Sequence, residues 1–472
     1  MTTEEFRKHA HELVDWMAGY MENVEKYPVK SQVSPGDIFK KIPDHPPLMA
    51  EPFQELMKDF ESVIMPGISH WQSPNFFAYF PANTSPPSVL AEMLTSTLAA
   101  QCMVWETSPA AAELEEKMMI WLREMTGLPE SLEGVIQDSA STSTLSAILT
   151  ARETTSGFSI NEEGSSAGKI CRVYCSEQTH SSVDKAVKIA GIGRKNLVKV
   201  PVREDFSMDP DKLSEAIKVD KLNGFLPCCV VATLATTGTT AIDPLKAIGE
   251  ICSHEGVWLH VDAAMGGTAL ILPEYQWMLE GKEYIDSLVF NPHKWMFTNF
   301  DCSAFFVKDA ASLIRTFEIL PEYLKTRTRG LVNDYRDWGV PLGRRFRALK
   351  LWSVIRSYGV EGLREKVRYH IKIASLLKDW IAGEPDFELL APVTICVVCF
   401  RYKPFGKGED ELNSINQKLN HQLNDSGNLY LSHTALKGKY TLRMVTAQTN
   451  VTLEHVEKAW ERIRETARSL KP

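Results

Sequence analysis

The chain lacks any apolar run approaching the roughly 18 consecutive residues that a membrane-spanning helix needs. Its opening, MTTEEFRKHAHELVDW, mixes acids and bases from the first turn and has no apolar stretch of the kind a secretory leader carries. An excess of positive charge is also missing: 52 Lys and Arg stand against 60 Asp and Glu, a net charge of −8. Nothing in that balance attracts nucleic acid or an anionic membrane surface, so neither is expected as a partner. Cysteine is scarce, nine in 472 residues, an odd and scattered set that includes the adjacent Cys228 and Cys229. That is no disulfide framework, and Cys171 with Cys175 has no second Cys or His pair at zinc-site spacing, so no metal is expected. A Walker loop, G-x-G-x-x-G, H-E-x-x-H, internal repeats and low-complexity tracts are absent too. The expectation is a reduced, soluble, cytoplasmic protein.

What is present is ordinary for a folded protein: 44% hydrophobic and 24% charged residues. At roughly 150 residues per domain the length suggests two or three units. Residues 3–25 place Phe6, Ala10, Leu13, Val14, Met17, Tyr20, Met21 and Val24 at steps of three and four, which predicts an amphipathic helix. Pro28, Pro35, Pro43, Pro46, Pro47 and Pro52 then predict an extended arm, because each removes a backbone donor. Such a piece cannot bury its own stripe and is expected to lie across another domain or subunit. From about residue 88, helical stretches (88–104, 110–125, 140–154, 244–255) alternate with β-branched runs at 135–137, 172–175, 229–234, 257–262 and 287–291. Alternation with apolar strands predicts an α/β domain whose mostly parallel sheet is covered on both faces. Beyond about 350, helical segments (346–356, 361–380, 410–424, 453–469) and strand-like runs (394–402, 428–432, 439–445) predict a smaller α+β domain. The expected division is an arm at 1–85, a large domain at 86–350 and a small domain at 351–472.

Four features in the large domain carry chemistry. Lys294, in Asn291-Pro292-His293-Lys294-Trp295, follows a buried strand and has no acidic neighbours, a setting that lowers an amine pKa and suits condensation with an aldehyde. A lysine snorkelling to solvent is the plain alternative. Asp262, ending His260-Val261-Asp262-Ala263-Ala264, stands at the C-terminal end of a parallel strand, where such sheets bind ligands. It suits the protonated nitrogen of a pyridine ring, and it equally suits a helix cap. Asp138 to Thr144 offer hydroxyls and backbone donors at a helix start, a phosphate site or simply a capped helix. His180, after another strand, is a ring-stacking or packing residue. A Ser139/His180/Asp262 triad can be drawn, but nothing in the spacing selects it. Taken together, an imine-forming lysine, an acid, a phosphate cradle and a ring-face group describe a pyridoxal phosphate site.

The motif Asn291-Pro292-His293-Lys294-Trp295, followed by Asn299-Phe300-Asp301-Cys302-Ser303-Ala304 and preceded by His260-Val261-Asp262-Ala263-Ala264, resembles the group II pyridoxal phosphate decarboxylases, above all the aromatic L-amino acid decarboxylases. Further matching blocks are His70-Trp71 with Phe76 to Pro81, Asp334 to Trp338, and Pro341 to Phe346. The resemblance implies a fold-type I enzyme with pyridoxal 5'-phosphate, working as a homodimer with its active site at the subunit interface. It implies Lys294 as the Schiff-base lysine, Asp262 on the pyridine nitrogen and His180 stacked on the ring. Ala140, Ser141, Asn291 and His293 would hold the phosphate or cofactor, with Ala264 beside them and Thr237 near the carboxylate side. Tyr323, beside the polar stretch Arg327–Gly330, matches a mobile-loop tyrosine that protonates the substrate carbon. Relatives lacking that phenol divert to oxidative deamination and an aldehyde, so Tyr323 implies an amine product. Trp71, Tyr79, Phe80 and Pro81 would form an aromatic substrate wall. Gly343 matches a position where plant relatives carry glycine for indoles and serine for phenols, which implies tryptophan converted to tryptamine and carbon dioxide. Asp138 departs from the small residue common at its position. An aminotransferase, a glutamate-type decarboxylase and a catalytically silent cofactor-binding protein are the alternatives.

Overall fold

The computed structural model describes residues 1–164, 170–319 and 331–470. They form two compact units: residues 1–81 with 373–390 and 398–472, and residues 82–372 with 391–397. The larger unit holds seven strands: β1 (Glu133–Gln137), β2 (Cys171–Ser176), β3 (Leu197–Val200), β4 (Leu226–Thr233), β5 (Trp258–Asp262), β6 (Ser287–Phe290) and β7 (Ser303–Val307). Their order is β1-β7-β6-β5-β4-β2-β3. From β3 through β6 every neighbouring pair is parallel, while β7 runs against both β6 and β1. Strands β5, β6 and β7 are buried at every position. Side chains alternate between faces, so continuous burial means that both faces are covered, as the apolar runs predict.

The smaller unit holds β8 (Phe387–Leu389), β9 (Val397–Tyr402), β10 (Ser432–Leu436) and β11 (Lys439–Val445) in the order β10-β11-β9-β8. The N-terminal segment belongs with these strands for a specific reason. Phe77 donates its N–H to Tyr430 O at 2.9 Å, and Val445 donates to Phe77 O at 3.0 Å. Segment 76–77 is thereby tied into the C-terminal strands, and the arm shares a unit with residues far along the chain.

The first helix, Thr3–Asn23, opens on a capping box between Thr2 and Glu5. It buries none of its residues. Trp16 packs edge-on against Phe60 at 5.2 Å and bonds Glu61, whereas Phe6, Val14 and Met21 are 58%, 44% and 42% exposed.

Some boundaries differ from expectation. The helix expected over 88–104 spans Pro86–Leu98 and stops because Ala99 turns left-handed (φ 50°). The strand expected at 428–432 begins at Ser432. The two helices expected at 346–356 and 361–380 are both present within Arg347–Ala382, separated by a kink at Gly359 (φ 66°, ψ 168°), a conformation open in practice only to glycine. Strands β3, β7 and β8 are not among the runs that the sequence singles out.

Candidate active site

Five connections leave the C-terminal ends of β1, β2, β4, β5 and β6, and they carry nearly all the residues singled out in the larger unit. This is where an open α/β sheet binds ligands. Asp262 is the last residue of β5 and only 4% exposed. Its Oδ1 accepts the Ala264 N–H at 3.0 Å. The other carboxylate oxygen has no hydrogen-bond partner among the described residues. Next to β5, β6 ends at Phe290 and runs into the short turn of helix Pro292–Trp295. Asn291 there donates its N–H to Ala264 O at 3.1 Å, which joins the two strand ends. Lys294 lies in that turn, half-buried, its N–H on Asn291 O at 2.9 Å.

Strand β7 supplies partners that sequence reasoning missed. Its antiparallel register pairs Phe290 with Ala304, so the next step sets Asn291 beside Ser303. Ser303 Oγ donates to Asn291 Oδ1 at 2.7 Å, and the Cys302 N–H donates to His293 Nδ1 at 2.9 Å. With Nδ1 accepting, the neutral His293 ring carries its proton on Nε2. Burial, then the Lys294 charge, pushes the His293 pKa down to about 3. The only signal for these roles was the block around Cys302 and Ser303, which reads in the sequence as a match without a function.

His180 follows β2 and is open to the surface on one side. The Ser182 N–H reaches its Nδ1 at 3.2 Å, so this ring too is a Nε2–H tautomer. Desolvation lowers its pKa, Asp262 opposes that shift, and Lys294 adds to it, so the acid and the lysine both act on this imidazole. Ser139 caps helix Ala140–Ser156 by accepting the Thr142 N–H, and its hydroxyl also meets Thr142 Oγ1. It is engaged locally, so the triad drawn with His180 and Asp262 does not form. The first two N–H groups of that helix, on Ala140 and Ser141, have no partner among the described residues. Thr237 sits exposed at the tip of a turn in which Thr240 (φ 58°) donates to Thr236 O at 2.8 Å.

Gly343 lines a cavity of about 40 Å³ with Asp138, Thr142 and Arg347, and a second of about 380 Å³ with Gln101 and Phe346. A Cβ built on Gly343 would meet Gln101 Nε2 at 3.3 Å, and Gln101 is held by the Arg344 N–H on its Oε1. Trp71, Tyr79, Phe80 and Pro81 belong to the smaller unit. There Trp71 stacks on Phe76 at 4.4 Å and on Tyr79 at 5.9 Å, and the Arg443 guanidinium covers the Phe80 ring at 4.8 Å. Tyr323 and Arg327–Gly330 lie outside the described residues.

These residues fit pyridoxal phosphate. A buried carboxylate with one open oxygen suits a protonated ring nitrogen, and two unengaged N–H groups at a helix start suit a phosphate.

Comparison with known proteins agrees. The pyridoxal-dependent decarboxylase conserved domain matches residues 35–403. Phenylacetaldehyde synthase from Arabidopsis thaliana is 41% identical over 477 residues, covering 99% of this chain and 96% of the relative. Tyrosine decarboxylase 4 from Petroselinum crispum is 41% identical over 482 residues, covering 99% and 94%. The crystal structure of Oryza sativa TDC with PLP and tryptamine superposes with a TM-score of 0.95 at 35% identity, covering 99% of this chain and 98% of that one. The chain therefore belongs to the group II pyridoxal-dependent decarboxylases, within the aromatic amino acid branch, with the fold-type I α/β architecture and pyridoxal 5'-phosphate as its cofactor.

Proposed function

We propose that the chain decarboxylates aromatic L-amino acids to the amine and carbon dioxide, with L-tryptophan preferred and tryptamine as product. The observation that carries the chemistry is Asp262, a buried carboxylate with one open oxygen, at the C-terminal edge of the sheet where Asp262 and Lys294 both act on the His180 ring. When bound, the cofactor supplies an electron sink for the pair released as the Cα–carboxylate bond breaks. Lys294 would hold the cofactor through its side-chain amine. Asp262 keeps a proton on the ring nitrogen through its open oxygen. His180, neutral because desolvation lowers its pKa, offers a flat face for the ring. Ala140, Ser141, Asn291 and His293 bind the phosphate side, and Thr237 with Ala264 borders the ring. Tyr323 delivers the proton to the substrate Cα, which directs the outcome to amine.

Support for tryptophan comes from Gly343, which adds no side chain to the cavity of about 380 Å³ it borders. Trp71, Tyr79, Phe80 and Pro81 provide aromatic surface for the substrate side chain. A homodimer would cover Phe6, Val14 and Met21, and also Leu90, Met93, Leu94 and Leu98, which share the outer face of helix Pro86–Leu98. Among the described residues no helix is long and apolar enough to cross a membrane, and a cytoplasmic setting is part of the proposal.

The test is a product screen of the holoenzyme with tryptophan, phenylalanine, tyrosine and dihydroxyphenylalanine. Amine, carbon dioxide, aldehyde and peroxide are each measured. Tryptamine with stoichiometric carbon dioxide and no peroxide is expected. Aldehyde with peroxide from the native chain would overturn the amine assignment, and tyramine as the main product would overturn tryptophan preference. Tyr323→Phe should move the product toward aldehyde and peroxide; a variant making only amine would remove Tyr323 from its role.

A further inference from the structure

The helical span Arg347–Ala382 begins on a cation, and its first turn carries no acid. A positive charge is disfavoured at that end of a helix, so this arginine calls for a partner elsewhere. It finds one in Asp301: Arg347 Nε donates to Oδ1 at 2.9 Å, and Nη2 donates to Oδ2 at 3.3 Å. The two side chains are only 13% and 20% exposed, and a bidentate contact fixes direction as well as distance. Burial works against the Asp301 charge, yet the Arg347 contacts, with Lys350 behind them, hold its carboxyl below the usual range.

Asp301 anchors the segment that grips His293. Cys302, the next residue, donates its N–H to His293 Nδ1 at 2.9 Å and accepts the His293 N–H on its carbonyl at 3.2 Å. Phe300, the residue before, sets its ring against the imidazole with centroids 4.5 Å apart. Both chain neighbours of the anchored aspartate therefore touch the His293 ring. Arg347 also borders the cavity of about 40 Å³ with Asp138 and Thr142, at the start of helix Ala140–Ser156. One guanidinium thus stands beside both stretches proposed to bind the phosphate.

We propose that Arg347 is a positioning residue for cofactor binding, given that His293 binds the phosphate side as proposed above. Through Asp301 it fixes segment 300–302, and that segment holds the His293 ring with Nδ1 occupied and Nε2–H left to donate to the phosphate. Without the ion pair, the Cys302 N–H is free to shift. An imidazole that loses this donor adopts its other tautomer as readily, and then offers an acceptor where an anion needs a donor. The effect is specific to the phosphate group, because neither Lys294 nor the partner of the ring nitrogen, Asp262, depends on this relay.

The experiment measures, by visible absorbance, the dissociation constants of the cofactor-free full-length chain for pyridoxal 5'-phosphate and for pyridoxal, which lacks the phosphate. Asp301→Asn, nearly identical in shape, and Arg347→Met should each weaken pyridoxal phosphate about tenfold and change pyridoxal by less than about twofold. Equal weakening of both ligands would reduce the pair to general support of the fold and overturn the proposal, as would no weakening of either. Selective weakening by Arg347→Met alone would also overturn it, because the arginine would then act on the phosphate directly. His293→Gln separates the relay from the reading it rests on. No selective effect of that variant would remove His293 from the phosphate and the relay with it. A selective effect that neither ion-pair variant shares would leave His293 in place and remove Arg347. If Arg347→Met folds poorly, Asp301→Asn decides by itself.

Discussion

At the scale of single residues, Asp262 and Lys294 act through surroundings that other strands build. Asp262 spends one oxygen on the Ala264 N–H and keeps the other for a ligand. Asp262→Ala should therefore lower kcat by orders of magnitude while the protein still takes up cofactor, followed by carbon dioxide release and cofactor absorbance. Near-full turnover with cofactor bound would exclude the proposed role. Gly343 sets a different quantity, the ratio between substrates. A Cβ at that position meets Gln101 Nε2 at 3.3 Å, so the amide must give way or the neighbouring space must shrink. Gly343→Ser should reduce the tryptophan-to-tyrosine ratio of kcat/KM by about tenfold, in keeping with the roughly 1–3 kcal/mol that one small group contributes in a pocket. An unchanged ratio would dissociate Gly343 from selectivity. The sequence showed both residues plainly. It did not show Cys302 and Ser303 as the partners of His293 and Asn291, because these bonds cross between β6 and β7 and follow from register.

At the scale of elements, strand ends and helix starts do the positioning. Helix Ala140–Ser156 presents two unengaged N–H groups because Ser139 takes the third, from Thr142, for its own cap. Helix Arg347–Ala382 shows how one residue can direct an element. Gly359 at φ 66° and ψ 168° ends one helix and lets the next begin after a kink. Gly359→Ala should cost about 1–3 kcal/mol, because a Cβ is poorly tolerated in that backbone region. A urea denaturation curve would read this as a lowered midpoint, and an unchanged midpoint would mean that the chain can straighten there. The strands that the sequence made legible were apolar runs alternating with helices: β2, β4, β5 and β6 lie within a few residues of expectation. β7 escaped because Ser303–Val307 follows a motif block and runs antiparallel, so it fits no strand–helix alternation.

At the scale of the whole molecule, buried histidines govern the response to acid. Burial pushes His260 down to about 4 and His293 and His370 down to about 3, from an ordinary 6.5. Native histidines thus stay neutral where the unfolded chain takes up protons. Their contribution is intact above about pH 6.5 and is lost as pH falls toward 4, at up to about 1.4 kcal/mol per pH unit for each group. Asp243 works in the opposite sense. Burial raises its pKa to about 7, so the native state holds a proton that the unfolded chain releases above an ordinary 3.8. Burial lowers His70 and His180 as well and raises Asp286 alongside Asp243, so the histidines outnumber the acids and the urea midpoint at pH 5 should lie below that at pH 7.5 with cofactor saturating. An equal or higher midpoint at pH 5 would contradict the neutral state of these rings.

The sequence by itself determined the chemistry on offer: a lysine after Asn-Pro-His, an acid ending an apolar strand, hydroxyls opening a helix and an α/β alternation to carry them. These are local facts of residue type, spacing and periodicity, and local rules read them. Only the tertiary structure decided which oxygen of Asp262 remains open, which nitrogen of His293 and His180 carries the proton, and that Gln101 stands against Gly343. It also tied the N-terminal arm to strands more than 300 residues away. Hydrogen-bond partners across a sheet depend on strand order and register, and those come from packing the whole chain rather than from any one stretch of it.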